Sequence, residues 1–514
     1  MKKIVALLLV CVIAVSLFAG CGDTSESSGG TGTQDGSSTE NSIRIGITAD
    51  PGTMSPYIFG GHDYSKVAKS IYQTMAFRKE DKTLEPIIAE SWEQIDPLTY
   101  TVKIKENVHD SENNPITASD VVFSCQQHYD SGMSTTWKYS DDEKPFEKTG
   151  DYEVTFYFAQ ETCSAFESIL AGVSIVSEAA FTASPDEFVN TPVGTGPYKL
   201  ENWVVGSEVT LVKNENYWDD NPYKFFEQNM DSIVFKVISE PAQRAIELEI
   251  GGVDLIYNAQ ASDLNRFEEN PDFVTNKVDD SQVLNMYFNC SEYSVCRDIR
   301  LRHAVAYAID TNAIALTACE GLAIPSPSVA YKTSVEYRDE FDGRVLYEQN
   351  IETAKALIDE MKAEGIDPSF TILTDENKVK VSAATIIQEA MKTIGVDVTV
   401  QQLESAVFQA TYGDMEAWDA YMGLGGSNSP YTMEKLGMML DRTQIDDQEL
   451  IDAVDLAFKK YIPENSDRAI DLFDEAIPVL TINSVLYAYA YRAGLQGADE
   501  FVNSMIYPGY CRWE

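Results

Sequence analysis

Positive charge is scarce in this chain: 38 lysines and arginines stand against 82 aspartates and glutamates, for a formal net charge of -44. A field of that sign repels phosphate backbones and argues against nucleic acid as a partner. Histidine is scarcer still, with His62, His109, His128 and His303 making up the four present. Neither a GxSxG elbow nor an HExxH helix occurs, nor a paired CxxC, nor the GxxxxGK[ST] loop that holds nucleotide phosphates. These absences argue against a hydrolase, a zinc protein and an ATPase. Carboxylate pairs of the glycosidase kind carry no information among so many acids. Beyond the first twenty residues no run of about eighteen apolar residues returns, so nothing later reads as a membrane span.

The start of the chain is informative for what it holds. Lys2 and Lys3 precede an apolar stretch from Ile4 to Leu17, which runs into Phe18-Ala19-Gly20-Cys21. A charged start, an apolar segment short for a span and small residues before a cysteine read as a secretory signal over 1–20. Its end resembles the lipobox of bacterial lipoproteins, in which Cys21 receives a diacylglyceryl group, although Phe18 stands where that motif favours leucine. Residues 21–41 are rich in Ser, Gly, Thr and Asp and read as a flexible tether. The expectation is an exported protein, lipid-anchored to the outer face of the cytoplasmic membrane, or periplasmic where a second membrane exists.

Six further cysteines follow, at 125, 163, 290, 296, 319 and 511. An even number outside the cell permits disulfides, but a body of this size does not need them. Cys290 and Cys296 are the closest pair, read either as a bridge or as small buried apolar residues.

Along the body, period-two patterns mark half-buried strands at Ile43, Ile45 and Ile47, at Tyr100, Val102 and Ile104, at Val154, Phe156 and Phe158, and at Ile233, Phe235 and Val237. The first of these reads as a sheet edge. Thr117 with Asp120 reads as a capping box opening a helix. Later the chain alternates helix, glycine stop and strand. Pro241 opens a helix ended by Gly251-Gly252 before a strand over 254–257. The spacing predicts a helix over 351–364 ending at Gly365, a strand over 370–373, a helix over 381–394 ending at Gly395, and a strand carrying Val396, Val398 and Val400. This alternation predicts α/β layers with partly parallel sheets.

Several segments in sequence order carry a resemblance. They are Leu84 to Trp92; Asn114-Pro115-Ile116-Thr117-Ala118-Ser119-Asp120; Gly194-Thr195-Gly196-Pro197-Tyr198; Lys213-Asn214-Glu215-Asn216-Tyr217-Trp218; and Asp298 to Asp310. Together they resemble extracellular solute-binding protein family 5, whose members include dipeptide and oligopeptide receptors of ABC importers. The resemblance implies a two-lobed periplasmic-binding-protein-like clamp, type II and cluster C-like, with an extra small lobe. On that template 42–72, 188–280 and 484–514 form lobe I, 73–187 the small lobe II and 281–483 lobe III. The chain crosses between the large lobes near 279–289 and again near 481–489. The Gly194 to Pro197 turn and the Arg300-Arg302 helix also read directly as scaffold.

In peptide-binding members an aspartate in a loop after a late strand holds the ligand's ammonium. Here 416–422 resembles that strand, and the loop 423–430 has no carboxylate; Ser427 falls near the expected position, leaving Asp419, Glu434 or another acid to serve. The ligand-binding candidates are Met54 and Tyr57 after the first strand, Tyr287 and Asn289 at the crossing, and Tyr421, Leu424, Gly425, Ser427 and Asn428 at the loop. The implied solute is a peptide, with an oligosaccharide, nickel chelate or other small solute as alternatives. The implied partners are a permease and ATPase subunits, with the chain itself monomeric. No cofactor, metal or catalytic residue is expected. An exported hydrolase, a metal receptor using His109, Asp110 and Glu112, and a surface adhesin are the competing readings.

Overall fold

A computed structural model describes residues 41–61, 63–133, 145–426 and 430–514. The segment read as a secretory signal, most of that read as a tether, and Cys21 lie outside these residues. Asn41, placed at the end of the tether, is tied to the body, its backbone N–H donating to Asp231 at 3.2 Å.

One mixed sheet runs through the body. Its strand order is Val398–Gln402, Phe370–Thr374, Ala420–Gly425, Phe273–Phe288, Val479–Arg492, Leu255–Tyr257, Ser42–Ile47, Ser232–Val237, Glu208–Lys213 and Tyr198–Val204, with Ala323–Pro325 pairing beside Val479–Arg492. Phe370–Thr374 is parallel to both its neighbours, as helix–strand alternation requires. Helices Ile351–Ala363 and Lys378–Thr393 precede these strands and end before Gly365 and Gly395. The last strand begins at Val398, two residues later than the alternation predicts.

The two segments read as crossings are the sheet's longest strands, Phe273–Phe288 and Val479–Arg492, antiparallel to each other with register shifts between Asp279 and Gln282 and between Leu284 and Asn285. Each has one end in each of two apolar clusters. Leu284, Met286 and Leu480 pack in one, and Tyr489 and Tyr491 in the other with Ile43, Ile45 and Phe235.

Ser42–Ile47 corrects the edge reading, for it lies inside the sheet, parallel to Ser232–Val237 on one side and Leu255–Tyr257 on the other. Its polar alternate residue Arg44 meets the buried Asp254 at 2.7 Å in an ion pair on that face.

A second, antiparallel sheet orders Ala89–Asp96, Thr99–Ile104, Glu153–Tyr157 and Phe146–Gly150, backed by helix Ala118–Asp130. Asp120 opens that helix by accepting from the Thr117 N–H and hydroxyl, each at 2.8 Å. The core beneath this sheet takes in Trp218, Phe225, Phe226 and Tyr507 from outside 73–187. Val176 and Phe181, inside that span, pack instead with Ile43 and Tyr57. Large aromatic rings pack across the boundaries expected from sequence.

The scaffold motifs have defined work. A Cβ on Gly194 would lie 2.1 Å from the Ile71 carbonyl oxygen, so only glycine lets the two backbones meet. The six described thiols are free, with Cys290 and Cys296 buried and unbridged; burial pushes the Cys290 thiol up to about 11. Both carboxylate oxygens of Asp110 are engaged within its own turn, by Glu112 and Asn114. Among the described residues no helix is long and apolar enough to cross a membrane.

Candidate functional site

Ala420–Gly425 pairs antiparallel with Phe273–Phe288 so that Tyr287 opposes Tyr421 and Asn285 opposes Gly423. Opposed residues share a sheet face, and here the two rings stack, 4.5 Å between centroids and 7° from parallel. Tyr412, at the end of helix Ser405–Tyr412, stacks on Tyr421 at 5.3 Å. A Cβ on Gly423 would come 2.8 Å from Cε2 of Tyr287, so a bare backbone there lets that ring lie down.

These residues wall a cavity of about 220 Å³ closed on another side by helix Thr432–Thr443. Lys435, Met438, Met439 and Arg442 line it at helical spacing i, i+3, i+4 and i+7, one face of one helix. Arg442 stands over the Tyr412 ring at 5.4 Å and beside the Tyr421 hydroxyl. Burial, reinforced by Arg442, lowers the proton affinity of Lys435. Lys380 reaches the cavity but is paired with Asp375 at 2.7 Å. No acid, serine, cysteine or histidine is among the described lining residues. The described wall therefore offers stacking surface, hydrogen-bond donors and positive charge.

Tyr287, Tyr421, Leu424 and Gly425 are brought together here. Ser427 and Asn428 lie outside the described residues. Met54 and Tyr57 do not line this cavity and are packed in the core. Met54 is fully buried with its backbone bonded to Val189 and Tyr72, while Tyr57 donates to the Ser174 carbonyl at 2.9 Å and packs edge-on against Phe181. An aromatic and a thioether close to a turn satisfied a core, which their residue types suit equally. Asn289 is also structural: buried, its amide donates to the carbonyls of Met415 and Trp418 at 2.7 and 2.8 Å. Asp419 accepts from the Ser294 hydroxyl and the Thr371 N–H, and Glu434 bonds to Ser164, so both acids are used elsewhere. Lys435, Arg442 and Tyr412 were missed from sequence. The four-residue helical spacing is a readable signal, but without a packing partner it does not say which face is inward.

A second space, of about 330 Å³, lies between the small sheet and the carboxyl-terminal half, with Asp96, Glu161, Lys459 and Lys460 among the residues that line it. Beside it the Cys163 N–H donates to the Phe458 carbonyl at 2.8 Å, so these two parts are in contact.

Residues 83–447 match the family model described as bacterial extracellular solute-binding proteins, family 5 Middle. The oligopeptide-binding protein AppA of Bacillus subtilis is 26% identical over 76% of this chain and 75% of its own length. The heme-binding protein A of Haemophilus influenzae is 24% identical, covering 82% of this chain and 81% of itself. The solved structure of the ABC transporter substrate-binding protein CtaP of Listeria monocytogenes superposes with a TM-score of 0.78 at 20% identity, covering 92% of this chain and 99% of that one. At that identity the superposition establishes the fold, a mixed α/β architecture shared with solute-binding proteins.

Proposed function

Since this chain belongs to the bacterial extracellular solute-binding proteins of family 5, we propose that it captures a peptide outside the cell and presents it to the permease of an ABC importer. The observation that carries this reading is the cavity built where Ala420–Gly425 meets the long crossing strand Phe273–Phe288. A solute lodged there touches the wall of one half. Contact with the other half then favours the state in which both meet, and affinity is the surplus over the cost of closing. The permease reads the closed form, and separate ATPase subunits supply the energy.

The peptide reading is supported by the oligopeptide-binding relative and by a wall that sets aromatic stacking surface beside hydrogen-bonding and cationic groups, which suits the apolar and polar parts of a peptide together. The chain acts as a monomer tethered through a lipid on Cys21, and it changes nothing covalently in its cargo. The test is a thermal-melting panel of short peptides, oligosaccharides, heme and chelated nickel. A ligand at about a hundred times its dissociation constant adds about 2.7 kcal/mol to stability. Peptides raising the melting temperature while the other classes leave it in place supports the reading; a shift with another class alone replaces the solute.

A further inference from the structure

Two cations of helix Thr432–Thr443 face the cavity with no acid to answer them. Lys435 and Arg442 sit two turns apart on one helix face, with Met438 and Met439 between. In a chain with 82 carboxylates and 38 basic groups, neither forms an ion pair among the described residues. Glu434, next to Lys435 in the chain, is bonded to Ser164. The same cavity holds a buried polar atom without a hydrogen-bond partner, the side-chain oxygen of Asn285, and the Tyr421 hydroxyl, whose oxygen lies beside Arg442 and whose O–H has no acceptor among the described residues. Unpaired buried polar atoms cost free energy unless a ligand completes them. A hydroxyl donor with two neighbouring cations suits an oxyanion, the Asn285 oxygen suits a ligand N–H, and the tyrosine stack suits an apolar skeleton between them.

We infer that this cavity receives the carboxylate of a solute whose skeleton lies on the Tyr287–Tyr421 stack, with Lys435 and Arg442 as its charge partners. The inference rests on the peptide-capture reading and sharpens it: the peptide presents its carboxyl end, not its ammonium, to this wall. It also turns the sign of the preferred solute against the negative sign of the whole chain, since local charge within a Debye length of about 8 Å outweighs the distant surface.

The test has two arms on the full chain. In the first, native mass spectrometry measures binding of mixed tri- and tetrapeptides as free acids, as carboxyl-terminal amides and as N-acetylated acids. In the second, saturation-transfer NMR compares phenylacetate with neutral phenylacetamide. Each is repeated with the double variant Lys435→Met, Arg442→Met, whose melting curve reports its folding; the acid–amide comparison in the unaltered chain stands without it.

Amidation is expected to cut peptide binding at least tenfold and acetylation less than threefold, with phenylacetate binding, phenylacetamide silent and the double variant losing both distinctions. If no peptide binds while phenylacetate still binds through Lys435 and Arg442, the cavity assignment holds and the peptide reading falls. Equal binding of acids and amides, or silence of both fragments, overturns the assignment; peptides that bind regardless of their carboxyl group leave peptide capture standing alone.

Discussion

Tyr287 lies over Gly423 so closely that a Cβ at the glycine would meet Cε2 of the ring at 2.8 Å. The stack of Tyr287 on Tyr421 depends on that bare backbone. Gly423→Ala forces the ring to move, at about 1–3 kcal/mol for overpacking. The expected outcome is a chain that still folds with a melting temperature lowered by a few degrees, and peptide affinity reduced about tenfold in calorimetric titration. Unchanged affinity would separate the stack from the binding site.

Arg302 is buried at one end of helix Pro463–Ala476. Its Nε and Nη2 donate to the Ala476 carbonyl at 2.9 and 2.8 Å, and Nη1 donates to the Cys296 and Arg297 carbonyls at 2.9 and 2.8 Å. A guanidinium at a helix C-terminus also meets the negative end of its dipole. Arg302→Met leaves three carbonyls short of donors and is expected to cost about 3 kcal/mol or more, read by urea unfolding. A loss below about 1 kcal/mol contradicts this scaffold role.

Glu336 gives stability a pH dependence. The side chain is buried, with Oε2 accepting the Thr432 N–H at 2.9 Å, and burial pushes its carboxyl up to about 7. In the folded state it keeps a proton that the unfolded chain releases near its ordinary value of about 4.3. The folded state thus binds more protons between those two values, and its stabilisation, full below the lower one, is lost as pH rises through about 7. Glu336→Gln stays neutral throughout. Urea unfolding at pH 5 and pH 8 should show the unaltered chain losing about 2–3 kcal/mol more than the variant over that interval. Parallel behaviour of the two contradicts the assignment.

Cys21 is expected to carry the anchor. In a bacterial host producing the full chain, Cys21→Ser should remove the acyl mass from the intact protein and shift it from the membrane fraction to the soluble one. An unaltered fractionation would place the anchor elsewhere.

Much of the fold is legible because its signals are local. Period-two apolar residues marked Thr99–Ile104 and Ser232–Val237, Asp120 marked its helix start, and Gly365 and Gly395 marked two helix ends. What was not legible depends on neighbours. Ile43, Ile45 and Ile47 announce a strand with one apolar face, yet its interior place follows from Ser232–Val237 and Leu255–Tyr257, distant in sequence. Tyr421 and Tyr57 are the same residue type and both are buried; only their neighbours, Tyr287 and Tyr412 for one and Phe181 and Ser174 for the other, put the first on the cavity wall and the second away from it. The cations of the site were hidden for a related reason, as half-buried Lys435 and exposed Arg442 read as ordinary surface helix charges, and only the placing of Tyr412 and Tyr421 shows that both line the cavity.

The central claim, capture of a solute by the intact chain, is met most directly by native mass spectrometry of the protein purified without denaturation and after incubation with a mixture of short peptides. The account predicts one peptide per chain, displaced by excess of a tighter one. A bare-chain mass under both conditions, with no solute of any class retained, would contradict it.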